Sequence, residues 1–291
     1  MRVLLSGATS LPGLALLRLL LEAGHGVRCL VRPGSPNAGR LEGLAQVVRG
    51  DAGRVEDLLR ALEGVDAVAH VAGIGYAPQV VEAMRRAGVE RLLAVSSTSA
   101  RSRYAFRSSP KLEMEEVVRG SGLEWTIVRP TMIYGSELDR NIHRLLRFLD
   151  RSPVFPVFGS GENLWQPVYY EDCARGAFEA LVRPRATGQV YDLPGARPLT
   201  YVELVRTAAS ALGRRVRIVR IPLEPARRAL ALTERLGLRL PVSSEQVLRL
   251  REDKAYPYEK ARKELGYAPR PFEEGVALEV ERLRELGMVR P

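Results

Sequence analysis

Short apolar runs alternate with longer segments of helical periodicity through the first half of the chain. RVLLS precedes a helical pattern from about Leu11 to Ala23. GVRCLV and AQVVRG lead to VEDLLRALEG, DAVAHVAG to PQVVEAMRRAG, RLLAVSS to PKLEMEEVVRGSG, and EWTIVRP closes the series. Strands that alternate with helices predict βαβ units and a mainly parallel sheet. The runs lack the every-other-residue alternation of a strand with one wet face, as expected when helices cover both faces. Gly24 and Gly26, Gly64, Gly88, and Gly120 with Gly122 follow the helical segments, where glycine caps a helix.

After Pro130 the rhythm changes. A helix is predicted over Leu138 to Asp150, then the proline-rich SPVFPVFGSGENLWQPVYY, a helix over Glu171 to Val182 and a strand at QVYDL. LTYVELVRTAASALG reads as a further helix, and the tail holds RVRIVRIP and three or four more helices. The pattern contains no internal repeat and no low-complexity linker. It predicts an α/β fold: a doubly wound, mainly parallel sheet over residues 1–190 and a smaller, mostly helical lobe over 191–291. Residues 130–165 are expected to reach into that lobe. Ligands of such sheets bind beyond the carboxyl ends of the strands.

Composition narrows the partners. A formal charge of +10 invites nucleic acid, but the arginines are interleaved with glutamates, as in ERLGLRL and EVERLRELG. That is the pattern of a solvated helix face, so no nucleic-acid partner is expected. Arg2 ahead of an apolar stretch resembles a signal peptide, yet Pro12, Arg18 and Glu22 interrupt it, and no membrane span is expected. Two cysteines, Cys29 and Cys173, give no disulfide framework and fit a reducing, cytoplasmic setting. Three asparagines, with few Cys and Met, point to a thermophilic source. Of 44 Lys and Arg residues only four are lysines, and Lys111 is the sole lysine before Lys254. A compact ammonium fits where a planar guanidinium does not.

In GATSLPG, Gly7 suits a tight turn and Gly13 a close helix–sheet approach, with first-turn amides free to meet a pyrophosphate. Ser10 stands where the middle glycine of a dinucleotide fingerprint falls; its hydroxyl can reach a phosphate or cap the helix. The second strand ends CLVRPGSP, so Arg32 occupies about the place where an acid would bond the ribose of NAD, and arginine suits a 2′-phosphate. Asp51, just past a strand, can bond an adenine edge, and Ala72–Gly73 leave room beside the ribose.

The order GATSLPG, GD, LEGVDAVAHVAG, VSST, RPTMIYG and QPVYYEDCARG resembles the extended and atypical short-chain dehydrogenases/reductases, the NAD-dependent epimerase/dehydratase superfamily. The resemblance spans nearly the whole chain, and QPVYYEDCARG looks most like the branch of the complex I nucleotide-binding accessory subunit. It implies a Rossmann domain and NADP as cofactor, with NAD possible. The cofactor contacts it implies are Gly7, Thr9, Ser10, Leu11, Gly13, Arg32, Asp51, Ala52, Val71, Ala72, Gly73, Ser96, Lys111, Pro130 and Ile133. A homodimer or a monomer is expected, acting on a small molecule, with no metal.

The family's catalytic set is a Ser/Thr after the fifth strand and a Tyr-x-x-x-Lys on the next helix. Thr98 and Lys111 match, but the tyrosine position is Arg107. A guanidinium that stays protonated is no ordinary acid/base. Three readings follow. Tyr104 swings in as the acid; Lys111 or Tyr134 serves instead; or the protein binds cofactor without catalysis, as a sensor or assembly module. Sugar-nucleotide enzymes of the superfamily carry an arginine six or seven residues before an acidic pair. Here Trp165 and Gln166 precede Glu171–Asp172, which weakens an epimerase reading, although Arg129, Arg140 and Arg144 can still meet phosphates. Arg107, Trp165 and Gln166 are the candidate substrate contacts. His70, His143, Glu115 and Glu116 read as packing or surface residues, the glutamates facing solvent or paired with arginines.

Overall fold

A computed structural model of the protein describes residues 1–139, 141–225, 228 and 249–291. The chain divides into two compact units, residues 1–133, 168–194 and 257–270 in the first and 134–167, 195–256 and 271–291 in the second.

The first unit opens with β1 (Arg2–Ser6), α1 (Leu11–Glu22), β2 (Gly26–Val31), β3 (Gln46–Arg49), α2 (Val55–Leu62), β4 (Ala67–His70) and α3 (Ala77–Ala87). It continues through β5 (Arg91–Val95), a 3-10 turn over Thr98–Arg101, α4 (Ala105–Arg119) and β6 (Glu124–Pro130). β7 (Ile133–Tyr134) straddles the boundary, and α5 (Ile142–Leu149), β8 (Val154–Phe158) and β9 (Leu164–Trp165) belong to the second unit. β10 (Val168–Tyr169), α6 (Tyr170–Val182) and β11 (Gln189–Leu193) return to the first. β12 (Leu199–Thr200), α7 (Tyr201–Ala211) and β13 (Arg217–Ile221) lie in the second unit, α8 (Glu259–Leu265) in the first and α9 (Phe272–Glu285) in the second.

Seven strands form one sheet in the order β11-β6-β5-β4-β1-β2-β3, and its pairs run parallel. Strand direction of winding reverses between β1 and β4, the switch point where doubly wound sheets place ligands. Successive residues of β1 point to opposite faces. Val3 and Leu5 pack with α1 and α6, while Leu4 packs with α2 and α3, so both faces are covered and the strands are apolar throughout. The doubly wound α/β expectation holds.

Several boundaries differ from the pattern reading, each for a local reason. Gly26 caps nothing: it is the first residue of β2, while Gly24, Gly64 and Gly88 take the left-handed conformation of helix-terminating glycine. α4 begins at Ala105 rather than at Pro110, which leaves the proline inside the helix without an amide to donate. α5 starts only at Ile142, because the Asp139 carboxylate takes the amides of Asn141 and His143 at 2.7 and 3.3 Å, as a cap does. The proline-rich stretch holds three short strands. In the second unit β8 pairs with β13 in parallel and β9 with β12 antiparallel, so that unit mixes strands with its helices. Part of the helical tail expected beyond RVRIVRIP falls on residues outside the described ones.

Nor is the division a single cut near residue 190. Asp192 to Pro194 stay with the first unit because β11 pairs with β6, and 257–270 return to it. There Tyr267 donates its hydroxyl to the Pro194 carbonyl at 2.7 Å, and Arg270 meets Asp172 at 3.0 Å and Glu171 at 3.1 Å. No described helix is long and apolar enough to cross a membrane.

Glu279, on α9, has no exposed surface, and neither carboxylate oxygen has a hydrogen-bond partner among the described residues. Burial, with the Asp139 and Glu137 carboxylates nearby, pushes its pKa up to about 11 from 4.5. The folded protein therefore holds the proton that the unfolded chain releases above pH 4.5, and stability falls as pH rises from there towards 11. Glu279→Gln keeps the shape and removes the titration. Its Tm at pH 9 should exceed that of the parent by several degrees, with the gap closing near pH 4.5; a lower Tm at pH 9 would contradict this.

Candidate nucleotide-binding site

β1 ends at Ser6 and the chain turns through Gly7, whose φ of 78° is left-handed. A Cβ at Gly7 would lie 2.6 Å from the Ala72 amide nitrogen, and one at Gly13 would lie 2.1 Å from the Gly7 carbonyl oxygen. Both positions require glycine, for the turn and the close helix approach respectively. Ser10 is the cap of α1: its hydroxyl donates to the Gly7 carbonyl at 2.7 Å and accepts the Gly13 amide at 3.2 Å. Of the two roles open to this hydroxyl, capping is the one it plays. Leu11 is the first residue of α1, where the backbone amide has no intrahelical carbonyl to meet.

A cleft of about 210 Å³ opens at the carboxyl ends of β1 to β4. It gathers Gly7, Thr9, Ser10, Arg32, Asp51, Ala52, Val71 and Ala72 from the sequence expectation and adds Ser6, Leu30, Val31, Ser35, Gly50 and Tyr76. That volume is below the roughly 300–1,000 Å³ of whole-ligand pockets, so it suits one end of a dinucleotide. Arg32 is exposed past the end of β2, and its carbonyl accepts the Ser35 amide at 3.1 Å, which brings the serine back beside it. Asp51 is half-buried; its Oδ1 accepts the Gly53 amide at 2.8 Å and its own amide meets Asp57 at 2.9 Å. The adenosine half of a nicotinamide dinucleotide fits this lining: a glycine cradle that a Cβ would fill, a helix start and a cation at the rim.

His70 was expected to be a packing residue, and its position shows more. It is buried at the end of β4, donates Nε2–H to the Gly73 carbonyl at 2.9 Å, and accepts the Ser6 hydroxyl at Nδ1 at 2.7 Å. It thereby ties the end of β1 to the turn at Gly73, whose φ is 110°. Burial lowers its pKa to about 4.

Of the other expected residues, Ser96, Thr98, Arg107, Lys111, Arg129 and Ile133 belong to the first unit. Thr98, buried, donates to the Pro130 carbonyl at 3.4 Å. Lys111 sits on α4, with its Nζ 3.5 Å from the Arg107 carbonyl, and α4 packs on the 98–101 turn. Ser96 donates its hydroxyl to Glu115 at 2.6 Å and keeps only its acceptor capacity for a ligand. Glu115, fully buried, takes the arginine-paired of its two expected places, and Glu116 pairs with Arg119 on the surface. Arg129 is not a free phosphate ligand, since Glu115 holds it; Arg144 is exposed on α5, and Arg140 lies outside the described residues. Ile133 packs on the core.

Tyr104 lies just ahead of α4, its ring beside Phe106 and its hydroxyl accepting from Arg103 at 3.1 Å. Tyr134 is buried, its ring centroid 5.2 Å from that of Phe272. Arg107 carries a buried Nε with no partner among the described residues. In the second unit Trp165 has the Lys254 ammonium 3.6 Å from its ring centroid and Tyr201 beside it, so its stacking capacity is already engaged. Gln166 donates to the Gly195 carbonyl and accepts the Tyr256 amide, both at 2.8 Å, which makes it a structural bridge rather than a free substrate ligand.

A parallel sheet with a glycine turn and a nucleotide-sized cleft at its switch point defines a Rossmann-type dinucleotide-binding protein. The NAD(P)H-binding family profile matches residues 7–146. The chain is 34% identical over 242 residues to the ceramide reductase of Caulobacter vibrioides, covering 76% of this chain and 73% of that one. It is 28% identical to the 2-alkyl-3-oxoalkanoate reductase of Stenotrophomonas maltophilia, across 95% and 97% of the two chains. The UDP-glucose 4-epimerase structure from Thermotoga maritima superposes with a TM-score of 0.78 at 19% identity, covering 98% of this chain and 99% of that one. The chain belongs to the NAD(P)H-binding family that this profile and the ceramide reductase match define, and it shares its fold with the epimerase.

His70 gives the site a pH signature. A neutral native imidazole with a pKa near 4, against 6.5 in the unfolded chain, makes stability fall as pH drops from 6.5 towards 4. His70→Ala should lose about 2–4 kcal/mol at pH 7, weaken NAD(P)H binding and show a flatter Tm between pH 6.5 and 4. An acid limb as steep as the parent's would contradict the assignment.

Proposed function

We propose that the protein is an NADPH-dependent reductase of a ketone carried on an alkyl chain. The observation that carries the cofactor choice is Arg32. It stands at the rim of the cleft beside Ser35, where NAD-preferring relatives of the resemblance place an acid, and no described carboxylate pairs with it. A guanidinium and a hydroxyl together suit a ribose 2′-phosphate. The relatives named as reductases of ceramide and of a 2-alkyl-3-oxoalkanoate support the reaction and the substrate class.

When bound, NADPH would supply the hydride to the carbonyl carbon and leave as NADP+, and the alkoxide so formed would take its proton from water. On this reading Lys111, on α4, holds the nicotinamide ribose and presents a positive charge to the developing oxyanion. Thr98 offers its hydroxyl to the same oxygen. Arg107, in the family's tyrosine place, contributes a permanent cation with a buried, unpartnered Nε–H, which stabilises an alkoxide without being an acid of matched pKa. The missing tyrosine favours one other reading, a cofactor-binding module without turnover.

One experiment separates them. NADPH oxidation is followed with 2-alkyl-3-oxoalkanoates and ceramide-like ketones, beside fluorescence titrations of NADPH and NADH. The reductase reading expects turnover, tighter NADPH than NADH, and a gap that Arg32→Ala narrows by about tenfold or more. Tight NADPH binding with no turnover across these ketones would favour the module, and equal affinities in the parent would overturn the assignment of Arg32.

A further inference from the structure

A buried ionic cluster stands among the segments that carry Thr98 and Lys111, and none of the roles above uses it. Its centre is Glu115, with no exposed surface. Its Oε1 accepts the Ser96 hydroxyl at 2.6 Å and Arg129 Nε at 2.9 Å; its Oε2 accepts a second Arg129 nitrogen and, at 3.4 Å, Arg119. Arg129 on β6 lies beside Asp192 on β11 in the sheet register. Asp192 in turn pairs with Arg101, the last residue of the turn that begins at Thr98.

Each segment at the nicotinamide end thus contributes a member: the residue after β5, the 98–101 turn, α4 and β6. Lys111 and Glu115 are four apart on one helix, so they share a face one turn from each other. Whatever fixes the rotation of α4 at Glu115 also fixes the direction of the Lys111 stem. A carboxylate buried against a bidentate guanidinium is a rigid anchor, because leaving either charge alone in the interior is strongly unfavourable. We propose that Glu115 is a positioning residue for cofactor binding: it locks α4 to β5 and β6 and so aims Lys111 at the nicotinamide ribose.

The inference rests on nicotinamide binding and not on the proposed reduction, so its test reads affinity alone. NADPH dissociation constants are measured by fluorescence titration on the full chain in two double-mutant cycles. Glu115→Gln and Lys111→Ala should each weaken NADPH about tenfold, and the double variant should stay near tenfold rather than reach about a hundredfold. Glu115→Gln combined with Arg32→Ala, at the adenosine end, should multiply. A Glu115→Gln protein that binds NADPH like the parent, or whose effect multiplies with that of Lys111→Ala, overturns the proposal. If Glu115→Gln does not fold, Ser96→Ala removes one donor of the same cluster and enters the same two cycles with the same deciding outcomes. Lack of turnover in parent and variants alike would count against the reductase reading and leave this result standing.

Discussion

The contact between the turn after β1 and the turn after β4 governs the site. Gly7 brings its backbone so near Ala72 that no side chain fits between them, and Gly13 brings the first turn of α1 equally close to the Gly7 carbonyl. These approaches place the start of a helix at the sheet's switch point, where its dipole and unpaired amides favour an anion. Ser10 completes the arrangement by satisfying both sides of the turn, which explains how the loop dispenses with a third glycine. His70 braces the same two turns from beneath through Ser6 and Gly73. Rigid backbone at this point is what leaves the cleft open beside Arg32 and Asp51.

The residues proposed for the nicotinamide end obey a different physics. Thr98, Lys111 and Arg107 lie on a turn and a helix held to the sheet by buried charge rather than by close backbone packing. Arg107 changes what such a site can do. On the reductase reading, its cation would stabilise negative charge, and electrostatic stabilisation would replace part of the work of a tuned acid.

Much of this was legible in the chain. Alternating apolar runs and helical segments gave the parallel sheet, because strands covered on both faces carry little else than apolar residues. GATSLPG and CLVRPGSP gave the cleft, since backbone turns of that kind leave a mark in glycine and proline spacing. Of the alternatives open in sequence, His70 takes the packing one and Glu115 the arginine-paired one. What the chain hides is the partners, because Ser96 and Arg129 lie 19 residues before and 14 after Glu115 and meet it only in space. Ser96, Arg129, Trp165 and Gln166 offered useful chemistry in sequence and are engaged by neighbours in space. The Lys111 signal came from scarcity: in a chain that uses arginine almost everywhere, a lone lysine stands out.

If Arg32 selects NADPH as proposed, the cleft between Gly7 and Arg32 takes the 2′-phosphorylated adenosine end of the cofactor. Competition against bound NADPH with nucleotide fragments tests it most directly. With Arg32 at a 2′-phosphate, 2′,5′-ADP displaces NADPH at concentrations where 5′-AMP does not, and Arg32→Ala removes the difference. Displacement by both fragments at equal concentration, or by neither while intact NADPH still binds, would contradict it.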